Sequence, residues 1–312
     1  MEEIRRARET IAGAALRTPL LRLEAPETAA EIFLKLECLQ PIGSFKLRGA
    51  ANAIRRASPD DLERGVVTAS AGNMAQGVAW AAREHGVPAT IVVPEHAPQT
   101  KLAAIERLGG RVVKTAYGQW WQAIVDSRFP GAEGLFVHPV LDDLVMAGNG
   151  TIGLELLEDL PELDAVVIPW GGGGLTVGIA SAVKALRPGA RVVTVEPKTA
   201  APLAASLRAG EPREVAYRPS FVDGAGARAL LPRMWELGRP LVDDAVTASV
   251  EEAAAAVRFL AERARVVAEG AGALPVAAAL SGRAGAGKLA CIVSGGNVDA
   301  AVLAAILEGR TP

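Results

Sequence analysis

Short apolar runs rich in Val, Ile and Leu alternate with Ala-rich stretches of helical period along nearly the whole chain. The continuous runs predict strands at Ile32–Leu36, Gly65–Thr68, Ala89–Val93, Arg111–Lys114, Leu135–His138, Ala165–Pro169, Arg191–Val195 and Leu289–Val293. Between them the pattern predicts helices at Met74–His85, Pro98–Leu108, Gly148–Asp159, Thr176–Leu186, Val250–Arg263 and Leu274–Ser281. The N-terminal MEEIRRARETIAGAAL reads as an amphipathic charged helix, and a further helix starts near Lys46 and runs through Leu47, Arg48, Ala50 and Ala53. Continuous apolar strands joined by helices indicate parallel sheets covered on both faces, so the expected class is α/β.

Length and composition narrow the picture. A chain of 312 residues, half of them hydrophobic, accommodates two domains with substantial cores. No compositional linker separates them, so a second domain is expected to be inserted in the first. The formal net charge of −2 argues against a nucleic-acid partner. Cys38 and Cys291 lie far apart in apolar runs, which suits buried thiols in a reducing compartment. With no signal-peptide layout and no apolar run of membrane-spanning length, the expected setting is cytoplasmic and off the membrane. His85, His96 and His138 are scattered and form no metal spacing, so they read as structural.

The candidate chemistry collects at one lysine and three loops. Lys46 follows Gly43-Ser44-Phe45 at a helix start, where the helix dipole disfavours an ammonium. Burial there pushes the same way, towards the neutral amine that a Schiff-base lysine needs. In open parallel sheets, ligands gather where strands run into helices. The first such loop holds Ser70, Ala71, Gly72, Asn73 and Met74, where backbone N–H groups and a helix dipole suit a carboxylate. The second holds Gly171, Gly172, Gly173 and Gly174, followed by Leu175, and lets the backbone wrap a phosphate. It matches neither G-x-G-x-x-G nor the P-loop, which disfavours NAD and ATP. The third is SGGNVD, where the Ser294 hydroxyl is suited to face a heteroaromatic nitrogen.

Taken in order, KLECLQPIGSFKLRGA, TASAGNMAQGVA, HPVLDDLVMAGNGTIGLELLE, IPWGGGGLTVGIA, VEP, VDG, AEGAGAL and SGGNVD resemble the threonine/serine dehydratase and serine racemase group of fold-type II pyridoxal-phosphate enzymes, which are tryptophan synthase β-like. The resemblance covers almost the whole chain. It implies two open parallel-sheet, three-layer αβα domains with the active site in the cleft between them. A large cofactor domain is expected at 1–48 plus 142–312, and a small inserted domain that closes on substrate at 49–141. It also implies pyridoxal 5′-phosphate as cofactor, an amino-acid substrate and a homodimer. By the same resemblance Lys46 looks like the catalytic Schiff-base lysine, and Phe45 packs on the cofactor ring. Asn73 looks like the partner of the pyridoxal 3′-oxygen, Gly171 to Gly174 the phosphate cradle, and Ser294 the partner of the pyridine nitrogen. Ser70, Ala71, Gly72 and Asn73 would receive the substrate carboxylate, with Met74 beside them. A neutral hydroxyl at the pyridine nitrogen makes a weaker electron sink than a carboxylate, which fits β-elimination.

The chain departs from the group in four places. Met74 stands where a histidine is usual, and Ala71 where racemases carry a serine as the opposite-face base, so one-face elimination by Lys46 is favoured. Glu196 of VEP is present, but Pro202 replaces the aspartate six residues on, so the divalent-cation site of relatives is expected to be lost or weakened and no metal is assigned. Val140 and Asn149 also differ from common choices and are expected to reshape the pocket. Glu269 reads either as a cofactor-side carboxylate or as a helix-start charge, and Asp223 either lines the site or holds a turn. Trp170 is expected in the core, at the cofactor, or limiting substrate size. The implied reaction is deamination of a β-hydroxy-α-amino acid such as L-threonine or L-serine to a 2-oxo acid and ammonia. Alternatives are a 3-hydroxy amino acid of the 3-phenylserine or 3-hydroxyaspartate type, and serine racemisation. With the chain closing at Pro312, no C-terminal regulatory domain is expected.

Overall fold

The computed structural model describes residues 1–312. In chain order the elements begin with α1 (Glu2–Thr10), β1 (Leu20–Leu23), β2 (Glu31–Leu36), α2 (Lys46–Arg55), α3 (Pro59–Leu62) and β3 (Val66–Ala69). They continue with α4 (Asn73–His85), β4 (Ala89–Pro94), α5 (Gln99–Arg107), β5 (Gly110–Thr115), α6 (Tyr117–Asp126), β6 (Leu135–Phe136) and α7 (Asp143–Asp159). Then come β7 (Ala165–Pro169), α8 (Gly174–Leu186), β8 (Arg191–Pro197), α9 (Pro202–Ala209), α10 (Pro232–Gly238) and β9 (Asp244–Ala248). The last are α11 (Val250–Phe259), α12 (Gly270–Leu280), β10 (Lys288–Val293) and α13 (Ala300–Leu307). No helix is long and apolar enough to cross a membrane.

The chain divides into two compact units, one of Met1–Leu16 and Gln40–Thr151, the other of Arg17–Leu39 and Ile152–Pro312. These boundaries lie outside the 49–141 segment expected from the sequence. The physical reason is local: Ile11 and Ala14 bury in the core shared with α2 and α4. The Gln40 amide also ties the two stretches together, accepting from the Leu16 N–H and donating to the Leu16 carbonyl, both at 2.9 Å.

The first unit holds a four-stranded sheet of order β5-β4-β3-β6, parallel throughout. Its apolar strands pack against α2, α4 and α5 through Ile54, Val78, Ile91 and Ile105. The predicted strand Leu135–His138 stops at Phe136. His138 ends it, because its ring nitrogen takes the Val140 and Leu141 N–H groups and turns the chain back.

The second unit holds a six-stranded sheet of order β1-β2-β10-β7-β8-β9. Five strands are parallel, and β1 runs antiparallel at the edge. At the centre Cys291 of β10 pairs with Leu34 on one side and Val167 on the other, which buries it completely. The Ala-rich α12 covers this region with small side chains that allow close approach to the strands. Two edge strands, β1 and β9, and the helices α3, α6, α9, α10 and α13 were not predicted. The helix predicted over Val250–Arg263 keeps α-geometry to Phe259 and then widens into a π-turn over Leu260–Ala264, closed by Arg265 at φ 58°.

One charged pair is enclosed in this unit. Lys35 of β2 is fully buried; its Nζ donates to the Glu155 carboxylate and to the Thr18 carbonyl, each at 2.6 Å. Thr18 in turn donates its hydroxyl to Glu37 at 2.6 Å. The ring of partners satisfies both charges, as burial of an ion pair requires.

Candidate active site

In the first unit, Gly43 at φ 70° turns the chain into Ser44 and Phe45, and Lys46 becomes the first residue of α2. Phe45 precedes it as N-cap without a capping side chain, so the helix opens on backbone groups. The Lys46 Nζ donates to the Pro139 carbonyl at 2.9 Å and lies 5.2 Å from the centre of the Phe45 ring. The backbone of α2 is held from below by α7. A Cβ on Gly148 would stand 2.5 Å from the Arg48 carbonyl oxygen, so only glycine permits this approach. The buried Arg48 guanidinium adds hydrogen bonds at 3.0 Å to the Thr151 hydroxyl and the Leu16 carbonyl.

Ser70 leaves β3 with its N–H on the Val92 carbonyl, and its hydroxyl accepts from the Gly72 N–H at 3.3 Å. Gly72 is the N-cap of α4, and nothing lies within 4 Å of where its Cβ would be. Asn73 opens the helix. This loop is therefore a helix N-terminus with open space beside it, a setting that favours an anion. Ala71 packs its methyl on the apolar cluster of the unit. Met74, expected beside the carboxylate loop, is 2% exposed and sits inside the same cluster.

The segment that carries Pro139 is itself tightly held. The Val137 N–H donates to the Val67 carbonyl, and the Thr68 hydroxyl to the Val137 carbonyl. His138 is 4% exposed, and burial pushes its imidazole down to about 4; the Lys46 charge acts in the same direction, and the bond to the Ile124 carbonyl opposes them.

In the second unit, β7 ends at Pro169 and α8 begins at Gly174, with Gly173 as N-cap at φ 98°. A Cβ on Gly171 would meet the Gly224 carbonyl at 2.9 Å, and one on Gly173 the Trp170 ring at 2.8 Å. Gly172 is exposed, while Leu175 is buried behind the loop. The loop thus has no room for side chains at Gly171 and Gly173 and presents backbone at a helix start. Trp170 is fully buried beneath it, and its indole N–H has no hydrogen-bond partner. The Trp170 carbonyl accepts from the Gly226 N–H at 2.9 Å, which holds the Val222–Gly226 segment against the glycines. Asp223 in that segment is exposed.

Ser294, at the end of β10, is 3% exposed. Glu269 opens α12 without capping it; its N–H donates to the Gly295 carbonyl at 3.0 Å, and its carboxylate lies beside Gly224. The second unit therefore brings together the glycine loop, Gly224, Glu269 and Ser294, four segments spread over more than a hundred positions. Glu196, at the end of β8, uses both carboxylate oxygens on the α9 start, accepting from the Leu203 N–H at 3.0 Å and the Ala204 N–H at 2.8 Å. Burial pushes this carboxyl up to about 7 against those two bonds.

Parallel strands run into a helix-start loop at Ser70–Asn73 in the first unit, which also carries the helix-first Lys46, and into a four-glycine turn in the second; such strand-end loops mark an α/β protein of the ligand-at-strand-end type. The chain belongs to the pyridoxal-phosphate dependent enzyme family, whose model matches residues 11–295. It is 42% identical over 314 residues to the L-threonine ammonia-lyase of Thermotoga maritima, a match spanning 99% of this chain and 78% of that one. Among solved structures, maize serine racemase superposes with a TM-score of 0.87 at 34% identity, covering 99% of this chain and 96% of that one. The processed form of threonine deaminase isoform 2 from Solanum lycopersicum also gives a TM-score of 0.87, at 30% identity, over 98% and 87%. The cofactor of the family is pyridoxal phosphate; the glycine loop is crowded at Gly171 and Gly173 and opens α8 without a side-chain cap, a backbone setting that suits an anion.

Three contributors escaped the sequence. Pro139 was not singled out at all, His138 was set aside as structural, and Gly224 was hidden in a turn motif.

Proposed function

We propose that this chain is a pyridoxal-phosphate-dependent ammonia-lyase that converts L-threonine or L-serine to a 2-oxo acid and ammonia. The Gly171–Gly174 loop would hold the cofactor phosphate, the Ser294 hydroxyl its ring nitrogen, and Asn73 its 3′-oxygen, with Phe45 against the ring. When bound, pyridoxal phosphate supplies the sink for charge that develops at the substrate α-carbon. The Lys46 amine would take the substrate α-proton as general base. The Ser70–Asn73 backbone at the start of α4 receives the substrate carboxylate and so orients the Cα–H bond towards that amine. Hydroxide leaves from Cβ, water later hydrolyses the released product, and the net change is loss of ammonia.

The observation that carries the choice of lyase over racemase is Ala71. Its methyl packs on the apolar cluster, so position 71 offers no hydroxyl to return a proton from the opposite face. The 42% identity to an L-threonine ammonia-lyase supports the same choice. Serine racemisation is the second reading, favoured by the likeness to the maize enzyme. The burial of Met74 weakens the case for a bulkier 3-hydroxy substrate, because its thioether is spent in the core. The same proposal takes the working form as a cytoplasmic homodimer, in keeping with the free thiols of Cys38 and Cys291.

The test is a substrate panel of L-threonine, L-serine, 3-phenylserine and 3-hydroxyaspartate, followed by 2-oxo acid release and chiral analysis of the remaining serine. Lyase activity predicts 2-oxo acid from threonine or serine with no D-serine, and loss of turnover by orders of magnitude in Lys46→Ala. D-serine at a rate matching 2-oxo acid, or full activity in Lys46→Ala, overturns it.

A further inference from the structure

We propose that His138 is a positioning residue for Lys46, acting through the carbonyl of Pro139. Nδ1 of His138 accepts from two backbone donors, Val140 N–H at 3.0 Å and Leu141 N–H at 2.8 Å. Two donors converging on one ring nitrogen require that it carry a lone pair and no proton. The proton is then on Nε2, which faces the Ile124 carbonyl at 3.1 Å and donates to it. The tautomer is therefore set by the surroundings on both sides of the ring.

The consequence is a turn with little freedom. Residues 138 to 141 are pinned to α6 through Ile124 and closed on themselves through the imidazole. Upstream, Val137 is tied to β3. Downstream, the Asp142 carboxylate caps α7 by accepting from Leu144 N–H at 2.8 Å and Val145 N–H at 3.2 Å. Pro139 lies between these anchors, and its carbonyl accepts from the Lys46 Nζ at 2.9 Å. One N–H of the amine is thereby given a fixed direction, and a neutral amine so held points its lone pair away from Pro139. A proton on Nδ1 would oppose both backbone donors, so the neutral imidazole is part of the device. Its downward-pushed titration agrees with this.

His138 is far from Lys46 in sequence and is not itself among the groups that would touch substrate or cofactor. This inference rests on the reading of Lys46 as the cofactor lysine. The experiment titrates apoenzyme with pyridoxal phosphate, following the visible absorption band, in His138→Asn, His138→Gln and His138→Leu. The Asn oxygen reaches the Nδ1 position and accepts both turn N–H groups, whereas the Gln amide reaches towards Ile124 and leaves them without an acceptor. Expected is cofactor affinity within about threefold of wild type for Asn, and at least tenfold weaker, with a displaced band, for Gln and Leu. If Leu fails to fold, the Asn–Gln pair alone decides. Wild-type affinity and band in Gln, or Asn as impaired as Gln, overturns the proposal. Lys46→Ala is the separate control: if it still forms the visible band, the lysine reading fails rather than this one.

Discussion

Replacing Gly173 by alanine tests whether the four-glycine turn is the phosphate cradle. At φ 98° an L-residue meets its own backbone, a penalty of about 1–2 kcal/mol. The new methyl would also stand 2.8 Å from two Trp170 ring carbons and 3.0 Å from the Met234 methyl. Overpacking of this kind costs about 1–3 kcal/mol. Together the penalties reach about 2–5 kcal/mol. Where the loop escapes strain by moving, the bound geometry carries that cost, and even the lower figure weakens cofactor affinity about thirtyfold.

Two companion variants separate the terms. Gly210→Ala also places alanine at positive φ, 78°, at the end of α9, but with open space around its Cβ. It should lose about 1 kcal/mol of stability and leave cofactor affinity unchanged. Trp170→Leu removes the ring carbons that the new methyl meets. In that background Gly173→Ala should cost less by the overpacking share, which a double-mutant cycle isolates. The assays are absorbance titration of apoenzyme with pyridoxal phosphate and urea unfolding of each apoenzyme. A Gly173→Ala protein with affinity within about threefold of wild type and unchanged unfolding would refute the cradle.

The remaining predictions concern buried charge. Glu155→Gln leaves the Lys35 ammonium enclosed without its counter-charge and should cost about 3–5 kcal/mol in urea unfolding; the double change to Lys35→Met and Glu155→Leu should recover much of that loss. The proton of His138 makes stability fall on the acid side. Its folded value of about 4 lies below the ordinary 6.5, so its contribution is full above pH 6.5 and is lost as the pH falls towards 4. At about 1.4 kcal/mol per pH unit the loss amounts to about 3 kcal/mol. Glu196 works oppositely: raised from 4.5 to about 7, it contributes below pH 4.5 and loses that contribution as the pH rises to 7. Apoenzyme unfolding against pH should show a smaller acid loss in His138→Asn and a steeper one in Glu196→Gln. A wild-type slope in both variants would rule out these two groups as its source.

What was legible from the sequence was what is local along the chain. Central strands show as continuous apolar runs because both of their faces are covered, whereas β1 and β9, at the sheet edges, carry Arg22, Asp244 and Thr247 and lose that pattern. The helix-start loops show because each is completed within a few residues, as with the four glycines at 171 to 174 between a strand and a helix. Contacts made by folding left no such trace. The Lys46 amine meets a carbonyl 93 residues away, and a carbonyl carries no residue identity, so Pro139 was invisible. His138 fell outside the reading because a lone histidine in an apolar run is more often a filled core position than a working group. Its meaning comes only from the two N–H groups that converge on Nδ1. Met74 shows the reverse case. The resemblance puts it beside the carboxylate loop, and at the second position of α4 its side chain lies in the apolar cluster of the unit. A motif therefore marks a loop, while the direction of each side chain within it is decided by the helix that the loop begins.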